Sequence, residues 1–98
     1  MKNFRSFILA VRFNRECRCL SLRGSLRDQL LRAAQSIALN LAEGRGRPTV
    51  KDQKRFFQIA LASLRECQAV LDIEDVSDPN LRELADCLGA HIFKLIQS

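Results

Sequence analysis

Apolar residues recur along the chain at intervals of three and four, the spacing that places side chains on one face of an α-helix. The stretch 25–47 shows this most clearly, since Leu30, Ala34, Ile37 and Leu41 step by four, three and four. Similar stripes lie on both sides of it, and short breaks rich in Gly, Pro, Ser or Asp separate them. The pattern predicts four helices, over about residues 2–20, 26–43, 50–74 and 79–97.

Residues typical of helix ends lie near these boundaries. Gly44 follows the last apolar position of the second stripe and fits the left-handed residue that commonly ends a helix. Side chains that cap helix N-termini precede three of the stripes. They are Ser25 with Asp28 for the second helix, Thr49 with Asp52 for the third, and Ser77 or Asp78 before Pro79 for the fourth.

The composition agrees with an all-α protein. Hydrophobic residues make up 47% of the 98 residues and charged residues 28%, and runs of alternating β-branched residues are absent. A chain of this length forms one domain, and short connections between helices favour antiparallel neighbours. We therefore predict a single domain over residues 1–98, an antiparallel up-down-up-down four-helix bundle.

A second stripe on the second helix contains only small and polar side chains: Gln29, Ala33, Ser36, Asn40 and Glu43. Gln, Ser and Asn are middling or poor helix formers, so an ordinary solvated face would carry Lys and Glu instead. One hypothesis is a partly buried polar network within the bundle or between subunits; the alternative is a solvated face with scattered charges. The residues assigned to this network are Gln29, Arg32, Ser36, Asn40, Glu43, Arg55 and Glu66.

The formal net charge of +5 conceals a stronger asymmetry between the two halves of the chain. Residues 1–55 hold thirteen Lys and Arg against four acidic residues, whereas residues 56–98 hold three against seven. Arginine supplies twelve of the sixteen cations, and its planar guanidinium suits phosphate and carboxylate. Such a chain binds nucleic acid, or it pairs its own basic and acidic halves within an oligomer.

The cations of the basic half group around two places. Arg45, Arg47, Lys51 and Lys54 surround the turn between the second and third helices, and Arg23 and Arg27 begin the second helix. We predict that these six residues bind RNA or DNA, mostly through phosphate and with little base readout. No aromatic residue is expected among these arginines, so base stacking is not predicted. The alternatives are ordinary solvation of the charges and a protein-interaction scaffold.

The sequence contains little that indicates a metal site, an enzyme active site, a cofactor site or a membrane span. The single His and the four cysteines do not have zinc-site spacing, and no acid–base constellation suggests an enzyme or a cofactor. Gly44 and Gly46 lack the preceding strand of a phosphate-binding loop. No stretch reaches the length of a membrane span, and the apolar run 7–11 is too short for a signal peptide. A reduced, cytoplasmic setting is expected.

The sequence also resembles a known family. The run 26–44, LRDQLLRAAQSIALNLAEG, followed by Gly46-Arg47, Lys51-Asp52 and Arg55-Phe56, looks like the bacterial four-helix-bundle proteins called the 23S rRNA-intervening-sequence protein family. The resemblance covers about residues 4–75, and Ala62 departs from the glycine common there. It implies a homopentameric ring of bundles without catalytic residues. Relatives act beside the reverse transcriptase of diversity-generating retroelements, so a similar protein partner is a further expectation.

Overall fold

The computed structural model describes residues 4–98, which form four α-helices and no strand. The helices are α1 (Arg5–Arg18), α2 (Gly24–Arg45), α3 (Val50–Ile73) and α4 (Pro79–Gln97). The prediction of an all-α chain with four helices is confirmed. The fourth helix has the predicted bounds, α1 ends two residues early, and positions 2 and 3 of the predicted first helix lie outside the described residues.

One hydrophobic core lies between the four helices. α2 packs against α1 and α3, and α4 packs against the same two helices. The predicted core stripe of α2 is confirmed, because Leu30, Ala34, Ile37 and Leu41 have no exposed surface. Among residues 4–98, none of the helices combines the length and hydrophobicity that crossing a membrane requires.

Side-chain caps begin the third and fourth helices, as predicted. The Asp52 backbone N–H donates to Thr49 Oγ1 over 3.2 Å, and the Leu81 N–H donates to Asp78 Oδ1 over 3.1 Å. Pro79 occupies the first turn of α4, where a missing N–H costs nothing. Of the two candidates before Pro79, the cap is therefore Asp78.

The predicted Ser25 cap of α2 is wrong. The helix begins at Gly24, and the N-cap position is Arg23, whose side chain makes no capping hydrogen bond. Gly24 has φ +73°, a backbone conformation that glycine adopts without steric cost. The glycine thus turns the chain into the helix before Ser25 is reached, and Ser25 lies inside the first turn.

The predicted role of Gly44 at a helix end is also wrong. α2 continues to Arg45, and Gly24 is the only glycine of residues 4–98 with positive φ. Gly44 is buried against α3, where an added Cβ would lie 2.7 Å from Phe57 Cε1 and 3.0 Å from Phe56 Cβ. Glycine is therefore required here because two helices approach closely, a reason that the sequence pattern does not reveal.

The cysteines behave as core or surface residues. Cys17 and Cys67 are buried, Cys19 is exposed and Cys87 is half-buried. Burial, together with the nearby Glu16 carboxylate, raises the pKa of the Cys17 thiol to about 12. Burial also raises the pKa of Cys67, whose thiol donates weakly to the Leu30 carbonyl oxygen over 3.8 Å. Both core thiols are therefore protonated at neutral pH.

Candidate nucleic-acid interface

The turn between α2 and α3 carries an excess of positive charge. Arg45 ends α2, and Lys51 and Lys54 lie in the first turns of α3. Within residues 4–98 these three side chains form no ion pair, and Arg45 and Lys51 are exposed. We call them the open cations. A shallow groove of about 600 Å³ runs beside α3 and is lined by Thr49, Lys51, Asp52, Lys54, Arg55 and Gln58.

Arg47, the fourth cation predicted at this turn, is held by its own chain. Its Nη2 lies 3.1 Å from Glu43 Oε2, and its Nε lies 3.5 Å from Asp52 Oδ2. The Nε atom is buried and makes no hydrogen bond within residues 4–98. Asp52 also accepts a hydrogen bond from Arg55 Nε over 3.2 Å. The two carboxylates of this end are thus occupied by Arg47 and Arg55, and the open cations keep their charge uncompensated.

The expectation that no aromatic residue lies among the arginines is wrong. The Arg47 and Arg55 guanidinium carbons lie 4.7 Å and 4.5 Å from the Phe56 ring centroid, and the Arg45 guanidinium lies 4.7 Å from that of Phe4. These are cation–π distances. Phe56 is half-buried and holds two guanidinium groups at the turn. The adjacent Arg55-Phe56 pair was visible in the sequence, but the approach of Arg47 depends on the turn.

The other two predicted nucleic-acid-binding residues lie elsewhere. Arg23 precedes α2 and Arg27 lies in its first turn, whereas Arg45 ends the same helix. At a rise of about 1.5 Å per residue, Arg27 and Arg45 are separated by about 27 Å along the helix axis. The structure therefore divides the six predicted cations into two groups, and Lys51 and Lys54 of the group at the α2–α3 turn line the groove.

A polar cluster joins α2 to α3 at half-buried positions. Ser36 Oγ and Ser63 Oγ are 3.0 Å apart, and Asn40 Nδ2 donates to the Ser36 carbonyl oxygen over 2.9 Å and to Ser36 Oγ over 3.0 Å. Ser63 of α3 completes the cluster. The remaining predicted members are exposed in the single chain and lie outside the cluster: Gln29, Arg32, Glu43, Arg55 and Glu66.

No metal or nucleophile site stands out in the described part of the chain. Residues 4–98 contain no group of three side chains that could hold a metal ion. His91 lies on the same face of α4 as Cys87, with its Nδ1 2.9 Å from the Cys87 carbonyl oxygen and 3.7 Å from the Cys87 thiol. The carbonyl contact is a helix-side-chain bond of a common kind, so the contacts of His91 within α4 account for its position.

Most of the chain matches the model of a known protein family. The family model described as 23S rRNA-intervening sequence protein matches residues 5–79. The chain belongs to this family. The match spans α1, α2 and α3 and reaches only the first residue of α4, so the turn with the open cations lies inside the family region. Searches of curated proteins and of solved structures found no significant match to this family member.

Proposed function

We propose that this 23S rRNA-intervening sequence protein is a non-enzymatic oligomeric adaptor that binds RNA or DNA at the α2–α3 turn. The proposal includes an antiparallel up-down-up-down bundle and its assembly into a homopentameric ring. The observation that carries it is the set of open cations: Arg45, Lys51 and Lys54 have no acidic partner within residues 4–98, although two carboxylates lie at the same turn.

The geometry of the turn favours phosphate as the ligand group. The backbone N–H groups at the start of α3 lie beside Lys51, and a helix N-terminus attracts anions. Arg47 and Arg55 are fixed by Phe56 and Asp52, which gives the open cations a rigid support. Repetition of the site around a ring would convert weak single contacts into strong binding, because linked sites act together.

The test is fluorescence anisotropy of labelled single-stranded and duplex RNA and DNA at several salt concentrations. Phosphate contacts predict an affinity that falls steeply with salt, with a logarithmic slope of about −0.9 per duplex phosphate contacted. Replacing Lys51 and Lys54 with Ala should weaken binding to all sequences and flatten this slope. Replacing Arg23 and Arg27 with Ala removes the same charge at the other end of α2 and should have a much smaller effect.

Two results would overturn the proposal. Absence of binding even at low salt would leave a protein-interaction scaffold, the alternative function, and would direct the search to protein partners such as a reverse transcriptase. Equal loss of binding in the Lys51/Lys54 and Arg23/Arg27 variants would show that net charge matters and that the turn is not a site.

A further inference from the structure

An apolar groove lies on the outer surface of α1 and extends to α2. Two adjoining cavities of about 460 Å³ and 210 Å³ share Phe7, Val11 and Arg15 as lining residues. Ile8 in the first cavity is 43% exposed, and Leu39 in the second is 59% exposed. Large apolar side chains grouped in this way on a surface mark a contact site. We call this surface the α1–α2 groove.

Arginines border the α1–α2 groove. Arg12, Arg15 and Arg18 follow one another at intervals of three along α1 and line the two cavities. The one acidic lining residue, Glu16, is already paired with Arg12 over 3.0 Å. Arg15 and Arg18 have no ion pair within residues 4–98. A surface complementary to the groove must therefore present apolar side chains beside acidic ones.

The outer face of α4 has this composition. Glu83, Asp86, Ala90 and Phe93 are exposed and follow one another at intervals of three, four and three, so they form one stripe. Phe93 is 52% exposed. Asp86 has only a long contact of 3.4 Å from Gln68 Nε2, so its charge is available to a partner. The acidic residues lie in the first half of the helix and the apolar ones in the second.

The levels of the two surfaces along the bundle also correspond. Phe4, before α1, shares a cavity with Leu95 and Ser98 at the end of α4, and Glu16 shares another with Asn80 at the start of α4. The second half of α1 is thus level with the first half of α4. A rotation about an axis parallel to the bundle leaves the height of every residue along that axis unchanged. Asp86 of one copy therefore lies at about the same height as the arginines that border the groove of the next copy.

We propose that the outer face of α4 in one copy of the chain packs into the α1–α2 groove of a second copy. The inference rests on the proposed oligomer and assigns its interface. The two surfaces are different parts of the chain, so the contact is heterologous and closes into a ring when the rotation permits. The basic and acidic halves of the sequence then meet between copies, with Phe93 near the apolar end of the groove.

The test measures the mass of the purified full-length protein by light scattering, without nucleic acid. Leu39→Glu and Phe93→Glu each place a charge in the proposed interface, and both should reduce the mass to that of a single chain, 11.1 kDa. Ile73→Glu is the matched control, because Ile73 is 67% exposed at the end of α3 and lies outside both surfaces. Circular dichroism should show unchanged helix content in all three, since each side chain replaced is exposed.

A charge exchange tests which surfaces meet. Arg15→Glu and Asp86→Arg should each weaken assembly, and the chain that carries both changes should recover the mass of the unaltered protein. A mixture of the two single variants should reach a higher mass than either variant alone, because each groove then meets an α4 face of opposite charge. Monomeric unaltered protein, or Leu39→Glu and Phe93→Glu variants of unchanged mass, would overturn the inference. Normal assembly without nucleic-acid binding would support this interface and overturn the adaptor function alone.

Discussion

α2 and α3 approach each other closely at Gly44, so adding a single methyl group there should lower the free energy of unfolding. In Gly44→Ala, the new Cβ would lie 2.7 Å from Phe57 Cε1, and the Phe57 ring is buried and cannot move away freely. Overpacking of this kind typically costs about 1–3 kcal/mol. Alanine recovers about 1 kcal/mol through its higher helix propensity. The net loss in the free energy of unfolding should therefore be about 0–2 kcal/mol.

Gly89→Ala is the matched control, because Gly89 is also a buried helical glycine. Its added Cβ would lie 3.3 Å from Leu64 Cδ2 and 3.4 Å from Arg65 Nη1, which are ends of flexible side chains. The propensity gain of about 1 kcal/mol should dominate there, so this variant should be unchanged or more stable.

Thermal unfolding followed by circular dichroism measures the difference between the two variants. A change of 1 kcal/mol moves the Tm of a domain of this size by about 4–8 °C, so Gly44→Ala should melt at least about 5 °C below Gly89→Ala. Both proteins must be compared at one concentration, because the proposed assembly would make the Tm concentration-dependent. Equal melting temperatures would refute the packing argument, since they would show that the Phe57 ring moves at little cost.

Three further predictions concern the α2–α3 turn, the polar cluster and the core thiol. Arg47→Ala should lower the free energy of unfolding by about 1 kcal/mol in urea titrations, because the stack on Phe56 and the ion pairs with Glu43 and Asp52 are lost, whereas Arg27→Ala should leave it within error. Asn40→Leu removes two hydrogen bonds and should lower the Tm or alter the oligomer mass; an unchanged mass and Tm would contradict a role for the cluster. Stability should fall as the pH rises from 9 towards 12, because the unfolded Cys17 thiol ionises near its ordinary pKa of 9.0 while the folded one keeps its proton until about 12. The loss should be smaller in Cys17→Ser, and an equal pH dependence would argue against this cause.

Local sequence patterns predicted the helices well because their causes lie within a few residues. The stripe of Leu30, Ala34, Ile37 and Leu41 depends only on the helical repeat, and all four are buried. The Thr49 cap depends on an N–H three residues later in the same chain. The same local reasoning failed at Ser25, because the backbone of Gly24 adopts positive φ and begins the helix earlier.

The candidate site was predicted only in outline. Proximity in sequence correctly grouped Arg45, Lys51 and Lys54 around one turn. It did not show that Arg47 is held by Glu43 and Asp52, because those contacts require the turn to fold back on α2.

The sequence by itself therefore determined the number of helices, the faces they bury and the concentration of positive charge in the first half of the chain. These properties follow from the 3.6-residue repeat and from composition, which need no knowledge of neighbouring helices. Only the tertiary structure showed that Phe57 packs closely against Gly44 and that Ser36 forms a hydrogen bond with Ser63. It also showed that two guanidinium groups contact the Phe56 ring. Each of these contacts joins residues from different segments, and it exists because packing fixes the distance and register between helices to a fraction of a side chain.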